Sequence, residues 1–361
     1  MKSRLLVLIA GASCLECLGG TDAHGVPGGV SGSERNRLAS RVPVEKETIG
    51  LQTVRIPSTK DGSLQILRFW PSPSKEKRPL LVVLHTWSLD AFGHAGYDKV
   101  SENWCRQNDW SYLVPNFRGP NKTPQSCCSE YAIQDVLDAV DWARKQTNVD
   151  QERIYLLGGS GGGLMSLMLA ARKPDLWAGV STWCPIFDLE LWYGETRKLG
   201  LGYWRDLEKV CGGTPEQCGE DYRRRSPRTV LGLAKGRVTV NISTGIHDGR
   251  HGSVPVGHAI RAFNSLADDV DVLSEEVIAE IERTESVPGD LRPSIPADSL
   301  YPGRKVHFQR RSNQVSLTLF EGGHDIFYGS AVAWLAAQRR DTRPIWNISS
   351  SVNGQPVELS K

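Results

Sequence analysis

Residues 153–164 read RIYLLGGSGGGL, an apolar run of strand length that ends in five glycines set around one serine. A short uninterrupted apolar run suits a strand buried on both faces of a sheet. Residues 164–171 are apolar throughout except for Ser166 and read as a helix. The stretch Gly158-Gly159-Ser160-Gly161-Gly162 fits G-x-S-x-G between strand and helix, the context of a nucleophile elbow. That turn is so sharp that side chains two residues either side of the serine would collide, which accounts for Gly158 and Gly162. It lifts the Ser160 hydroxyl above the sheet and aims the Gly161 amide, at a helix N-terminus, toward a developing oxyanion. A phosphate loop fits poorly, because no lysine follows the glycines and no G-x-G-x-x-G placement matches.

On both sides of this turn the pattern alternates. Residues 51–57 and 64–70 read as strands joined at Asp61-Gly62, a hairpin signal. Residues 80–85 form another buried strand. Ile133, Val136, Leu137, Val140 and Ala143 recur at helical spacing. Strand patterns return at 154–157, 178–183, 238–242 and 315–319, and a helix closes the series near 331–338. Strands alternating with helices predict an α/β domain, a mostly parallel central sheet with helices on both faces. Two connections, 185–233 and 267–306, exceed ordinary loop length and are expected to be pocket walls or lids. No internal repeat occurs, and no segment has the length of a second large domain such as a propeller.

A nucleophilic serine needs a base near neutral pH and a carboxylate to hold that base in the right tautomer. The chain order expected after such an elbow is serine, acid, histidine. His324 stands in Phe320-Glu321-Gly322-Gly323-His324-Asp325, a glycine loop directly after the last strand, and is the preferred base. Asp248, in the loop after the 238–242 strand, is the preferred acid. Asp188 is an alternative acid, and Asp325 reads as a loop residue. His307 reads as a strand exterior and His258 as a packing or surface residue of a helix. His247, Asp248 and His251 offer a metal alternative, but their glycine-rich loop lacks the helical face that pairs metal-binding histidines.

The strand-elbow RIYLLGGSGGG (153–163), the acid loop GIHDGRHGSVPVGHAIRAF (245–263) and the terminal FEGGHDIF (320–327) resemble the α/β-hydrolase catalytic domain of the prolyl oligopeptidase (S9) and dienelactone-hydrolase-like group. The resemblance spans roughly residues 79–338. It implies an α/β-hydrolase fold, acyl transfer through an acyl-serine intermediate, and no cofactor. Relatives often carry glycines where the second oxyanion donor arises, whereas this chain has Leu84-His85-Thr86-Trp87-Ser88. By position the amide of Trp87 takes that role, or that of Thr86.

Composition sets the outer bounds. With 43 basic against 41 acidic residues, the net charge of +2 gives no nucleic-acid footprint. The run Arg223-Arg224-Arg225 reads as a solvated face. Lys2 and Arg4 precede a short apolar core and small residues, a leader pattern over 1–23 that predicts a secreted or periplasmic protein. Cys14 loosely suggests lipid anchoring, the one route to a membrane partner. Residues 24–44 read as a flexible linker, 45–345 as the catalytic domain and 346–361 as a tail. Six cysteines follow the leader, an even number that suggests disulfides: Cys211 with Cys218, and Cys105 with Cys127 or Cys128. Trp183, Trp192 and Tyr193 are candidate substrate contacts, suited to stacking on sugar rings. The expected substrate is therefore an acylated small molecule or oligomer, cleaved by an esterase, with a small S9-type peptidase as the alternative and a non-catalytic binding module behind both.

Overall fold

The alternation read from the sequence folds as a nine-stranded sheet with helices on both faces. The computed structural model describes residues 50–291, 300–301 and 303–348, with the backbone of 351–352 and 355–356. The leader, the linker, the domain start near 45, Cys14, Cys17 and most of the tail lie outside the described residues, as do 292–299 of the second long connection.

In chain order the elements are β1 (Gln52–Pro57), β2 (Leu64–Trp70), β3 (Arg78–Leu84), α1 (Ala91–Tyr97), α2 (Lys99–Gln107), β4 (Ser111–Pro115), α3 (Glu130–Gln146), β5 (Val149–Gly159) and α4 (Gly161–Arg172). They continue as β6 (Gly179–Trp183), α5 (Leu189–Lys198), α6 (Tyr203–Cys211), α7 (Pro215–Arg224), β7 (Val240–Gly245), α8 (Gly257–Asn264), α9 (Glu275–Thr284), β8 (Val306–Ser312), β9 (Val315–Phe320) and α10 (Tyr328–Ala336). The strand order is β1-β2-β4-β3-β5-β6-β7-β9-β8. From β4 to β9 neighbouring strands run parallel, and the edges β1, β2 and β8 pair antiparallel.

Period-two alternation in β3 divides the core. Leu80, Val82 and Leu84 face a layer built by α3, α4, α8 and α9, while Leu81 and Val83 face a layer built by α2 and α10. Every residue of β3 from Pro79 to Leu84 is buried, as its uninterrupted apolar run requires. The chain order reverses direction at β3: β4 lies on one side of it and β5 on the other. Ligands of open parallel sheets bind outside the carboxyl ends of the strands at such a switch point. The loops after β3 and β5 meet there.

Several expectations are corrected. All six described cysteines are free. Cys105 packs in the α2/α10 layer, whereas Cys127 and Cys128 pack in the opposite layer, so the sheet separates them. Cys211 turns into the core at the end of α6 while Cys218 is half-exposed on α7, and no bond joins them. Arg225 is buried rather than solvated: its guanidinium donates to the carbonyls of Pro124, Ser126 and Cys127 at 2.8–3.2 Å. Arg223 and Arg224 do face solvent, paired with Glu220 and Asp221. The β1–β2 connection is a loop over Ser58–Ser63 closed by Ser58 N to Ser63 O at 2.8 Å, longer than a two-residue hairpin turn.

Candidate active site

The elbow is strained where the motif requires. Ser160 adopts φ 57° and ψ −119°, a conformation that costs a non-glycine residue about 1–3 kcal/mol. It caps α4 and is pinned from behind, its amide donating to Trp183 O at 2.9 Å. A β-carbon at Gly158 would collide with the Gly162 carbonyl, and one at Gly162 with the Leu84 carbonyl. The Ser160 hydroxyl is nearly buried and has no hydrogen-bond partner among the described residues.

His324 and Asp248 come together directly. Nδ1 of His324 donates to Oδ2 of Asp248 at 2.7 Å. Oδ1 of Asp248 accepts from the amides of Gly249 at 2.9 Å and Val254 at 3.2 Å, so the carboxylate is held by its own loop. The acid and base loops interlock through glycines: a β-carbon at Gly252 would strike the Asp248 carboxylate, and one at Gly323 the His251 carbonyl. Two residues beyond the base, Ile326 packs against Gly159, which brings the histidine loop across to the elbow. Burial pulls the His324 pKa down, but the charge of Asp248, the neighbouring Cys184 sulfur and the hydrogen bonds to both outweigh this and hold the imidazole well above its usual range.

Strand order adds a residue that motif reading missed. Between the elbow strand β5 and the acid strand β7 lies β6, and Cys184 follows directly on its last residue. The Cys184 thiol, the Asp248 carboxylate and the His324 imidazole lie within 4.8 Å of one another. Burial pushes this thiol up, so it stays protonated, and it points at Asp325 O at 3.4 Å. A polar residue at a strand end was the available signal, but the sequence does not reveal which strands are neighbours.

The second amide also lies beside the elbow. A β-carbon added at Gly161 would stand 2.6 Å from Trp87 N and 3.0 Å from Asn121 Nδ2. Neither the Gly161 nor the Trp87 amide has an acceptor among the described residues. The Trp87 ring is wedged edge-on between Trp192 and Tyr203, and its indole N–H donates to Asp206 of α6 at 3.3 Å. The segment 185–233 thus borders the site through α5 and α6.

The other sequence candidates have their side chains committed to other partners. Trp183, Trp192 and Tyr193 are all core residues. Trp183 packs on Tyr301, Phe320 and Phe327, Trp192 donates to Ser253 O, and Tyr193 donates to Glu208. Their rings are spent on packing and offer no stacking surface for a sugar. Asp188 caps α5 and pairs with Arg228. His247 bridges Glu285 and Glu321, which turns both its nitrogens away from Asp248. His307 shares Glu321, and Asp325 pairs with Arg304. His258 is fully buried: Nδ1 accepts from Phe187 N, so Nε2 donates to Glu195 at 2.7 Å.

An elbow serine and a histidine–carboxylate pair, all in loops at the carboxyl ends of parallel strands, place the chain among α/β hydrolases of the serine class. Residues 100–280, about half of the chain, match the sequence model of the prolyl oligopeptidase family, and the chain belongs to that family. Among curated relatives it is 31% identical over 162 residues to dipeptidyl aminopeptidase BIII of Pseudoxanthomonas mexicana, a stretch covering 42% of this chain and 23% of that protein. It is 28% identical over 153 residues to acylamino-acid-releasing enzyme 1 of Oryza sativa subsp. japonica, 40% of this chain and 19% of the relative. The match therefore spans about a quarter or less of these relatives' length. Among solved structures, the acylaminoacyl peptidase of Pyrococcus horikoshii aligns over 61% of this chain and 35% of its own, with 17% identity and a TM-score of 0.48.

Proposed function

We propose that the chain is a serine peptidase acting on small peptides through an acyl-enzyme at Ser160. The observation that carries this reading is the family match over residues 100–280, which contains Ser160 and Asp248, together with relatives named for removing dipeptides and acylamino acids. These names favour peptide bonds over the ester bonds expected from the sequence.

In this reading His324 Nε2 takes the Ser160 proton as Oγ attacks the carbonyl carbon, and Asp248 stabilises the imidazolium formed. The amides of Gly161 and Trp87 receive the oxyanion. The C–N bond then breaks, His324 returns its proton to the leaving amine, and water repeats the sequence to free Ser160. The leader over 1–23 is part of the proposal as an export signal. N-terminal sequencing of protein recovered outside the cell should start near His24, and retention of residues 1–23 would count against export.

The test of substrate class is a matched panel. Aminoacyl and dipeptidyl p-nitroanilides are compared with p-nitrophenyl acetate and acetylated sugars, with Ser160→Ala as control. Anilide turnover that vanishes in the control supports the peptidase. Turnover of esters alone overturns it in favour of an esterase.

A further inference from the structure

Asn121, in the loop after β4, has one polar group left over. It is 1% exposed. Its backbone amide donates to Trp87 O at 2.9 Å, which ties the loop after β4 to the residue whose own N–H is the second oxyanion amide. Its side-chain Oδ1 accepts from Cys127 N at 2.8 Å. A backbone N–H can only donate, so this bond fixes the orientation of the side chain: the oxygen faces Cys127 and the NH₂ faces the other way. That NH₂ is buried without a partner and stands 3.0 Å from where a β-carbon of Gly161 would lie. Trp87 N lies 2.6 Å from the same β-carbon position.

A buried amide donor without an acceptor is rare in folded proteins and asks for an explanation. The loop makes no provision for it to relax. Arg225 braces residues 124–127 from below through their carbonyls, which fixes Cys127 and, through Cys127, the Asn121 side chain. Three N–H groups, from Gly161, Trp87 and Asn121, thus converge around Gly161, the residue that follows Ser160, with no acceptor among the described residues.

From this convergence we propose that the Asn121 side-chain amide is a third donor to the oxyanion formed on Ser160, which makes Asn121 a catalytic residue. The proposal rests on the reading of Ser160 as nucleophile. Only the tetrahedral state places a full negative charge on the oxygen, so Asn121 contributes more to that state than to bound substrate.

The test compares wild type with Asn121→Ala, which removes the donor, and Asn121→Asp, which keeps the acceptor for Cys127 N. Three quantities are read on the best substrate of the panel: kcat, KM, and the inhibition constant of a boronic acid whose acyl side matches that substrate. Removal of an oxyanion donor lowers kcat by about 10²–10³-fold. The expected result is that loss in Asn121→Ala with KM within about 3-fold of wild type and a weaker boronate in proportion. KM and the inhibition constant do not depend on how much protein is folded, so a partly folded variant still separates the two outcomes. Equal changes in KM and boronate affinity, or kcat within about 3-fold of wild type, would show a merely structural amide and overturn the proposal. A wild type that turns over no substrate and does not react with fluorophosphonate would instead sink the reading of Ser160.

Discussion

His324 has two nitrogens with different tasks. Nδ1 is committed to Asp248 at 2.7 Å, which leaves Nε2 free for the role of base in the proposed mechanism. The carboxylate that orients the ring also holds its pKa well above the usual range against the opposing effect of burial. Catalysis requires the neutral ring, so kcat/KM should fall as pH drops, with a midpoint above the ordinary imidazole value of about 6.5. Asp248→Asn should move that midpoint down as well as lower kcat by about 10⁴-fold. A pH–rate profile of both proteins checks the sign, and an unshifted midpoint would mean another group sets the acid limb. Ser160→Ala or His324→Ala should each cost on the order of 10⁶ in kcat, and the double variant little more, because the two act as a unit.

The elbow is built by contacts that admit no side chain. Gly158 meets the Gly162 carbonyl and Gly162 meets the Leu84 carbonyl, and neither backbone can yield without moving β3 or β5. Gly158→Ala should destabilise the fold by about 1–3 kcal/mol and abolish turnover, read as a lower denaturant midpoint with an unchanged m-value. Motif and strand were legible here because the chemistry demands particular residues at fixed spacing. The central strands were legible because double burial leaves an apolar run. Helices α1 and α2 were not: His94, Asp98, Ser101 and Glu102 are all buried, so polar residues occupy the positions where a helical stripe should be apolar. β4 was missed because its apolar run is only Tyr112, Leu113 and Val114, flanked by Ser111 and Pro115. Cys184 carries only the signal of a polar residue at a strand end and Asn121 carries none, since their placement follows from which strands neighbour which.

At the scale of the molecule, even cysteine number suggested a disulfide framework, yet the sheet separates Cys105 from Cys127 and Cys128, and Cys211 faces the core while Cys218 is half-exposed on α7. Chain lacking residues 1–23 should titrate six thiols in denaturant without reductant, and its Tm should be unchanged by reductant. A lower thiol count, or a fall in Tm on reduction, would contradict this. The substrate class was the least legible property, because the aromatic residues that suggested a sugar site pack inward. The most direct test of the central claim is reaction of the intact protein with a fluorophosphonate, followed by peptide mapping. A single adduct is expected on the peptide bearing Ser160, greatly slowed in His324→Ala. No adduct, or an adduct on another residue, would contradict it.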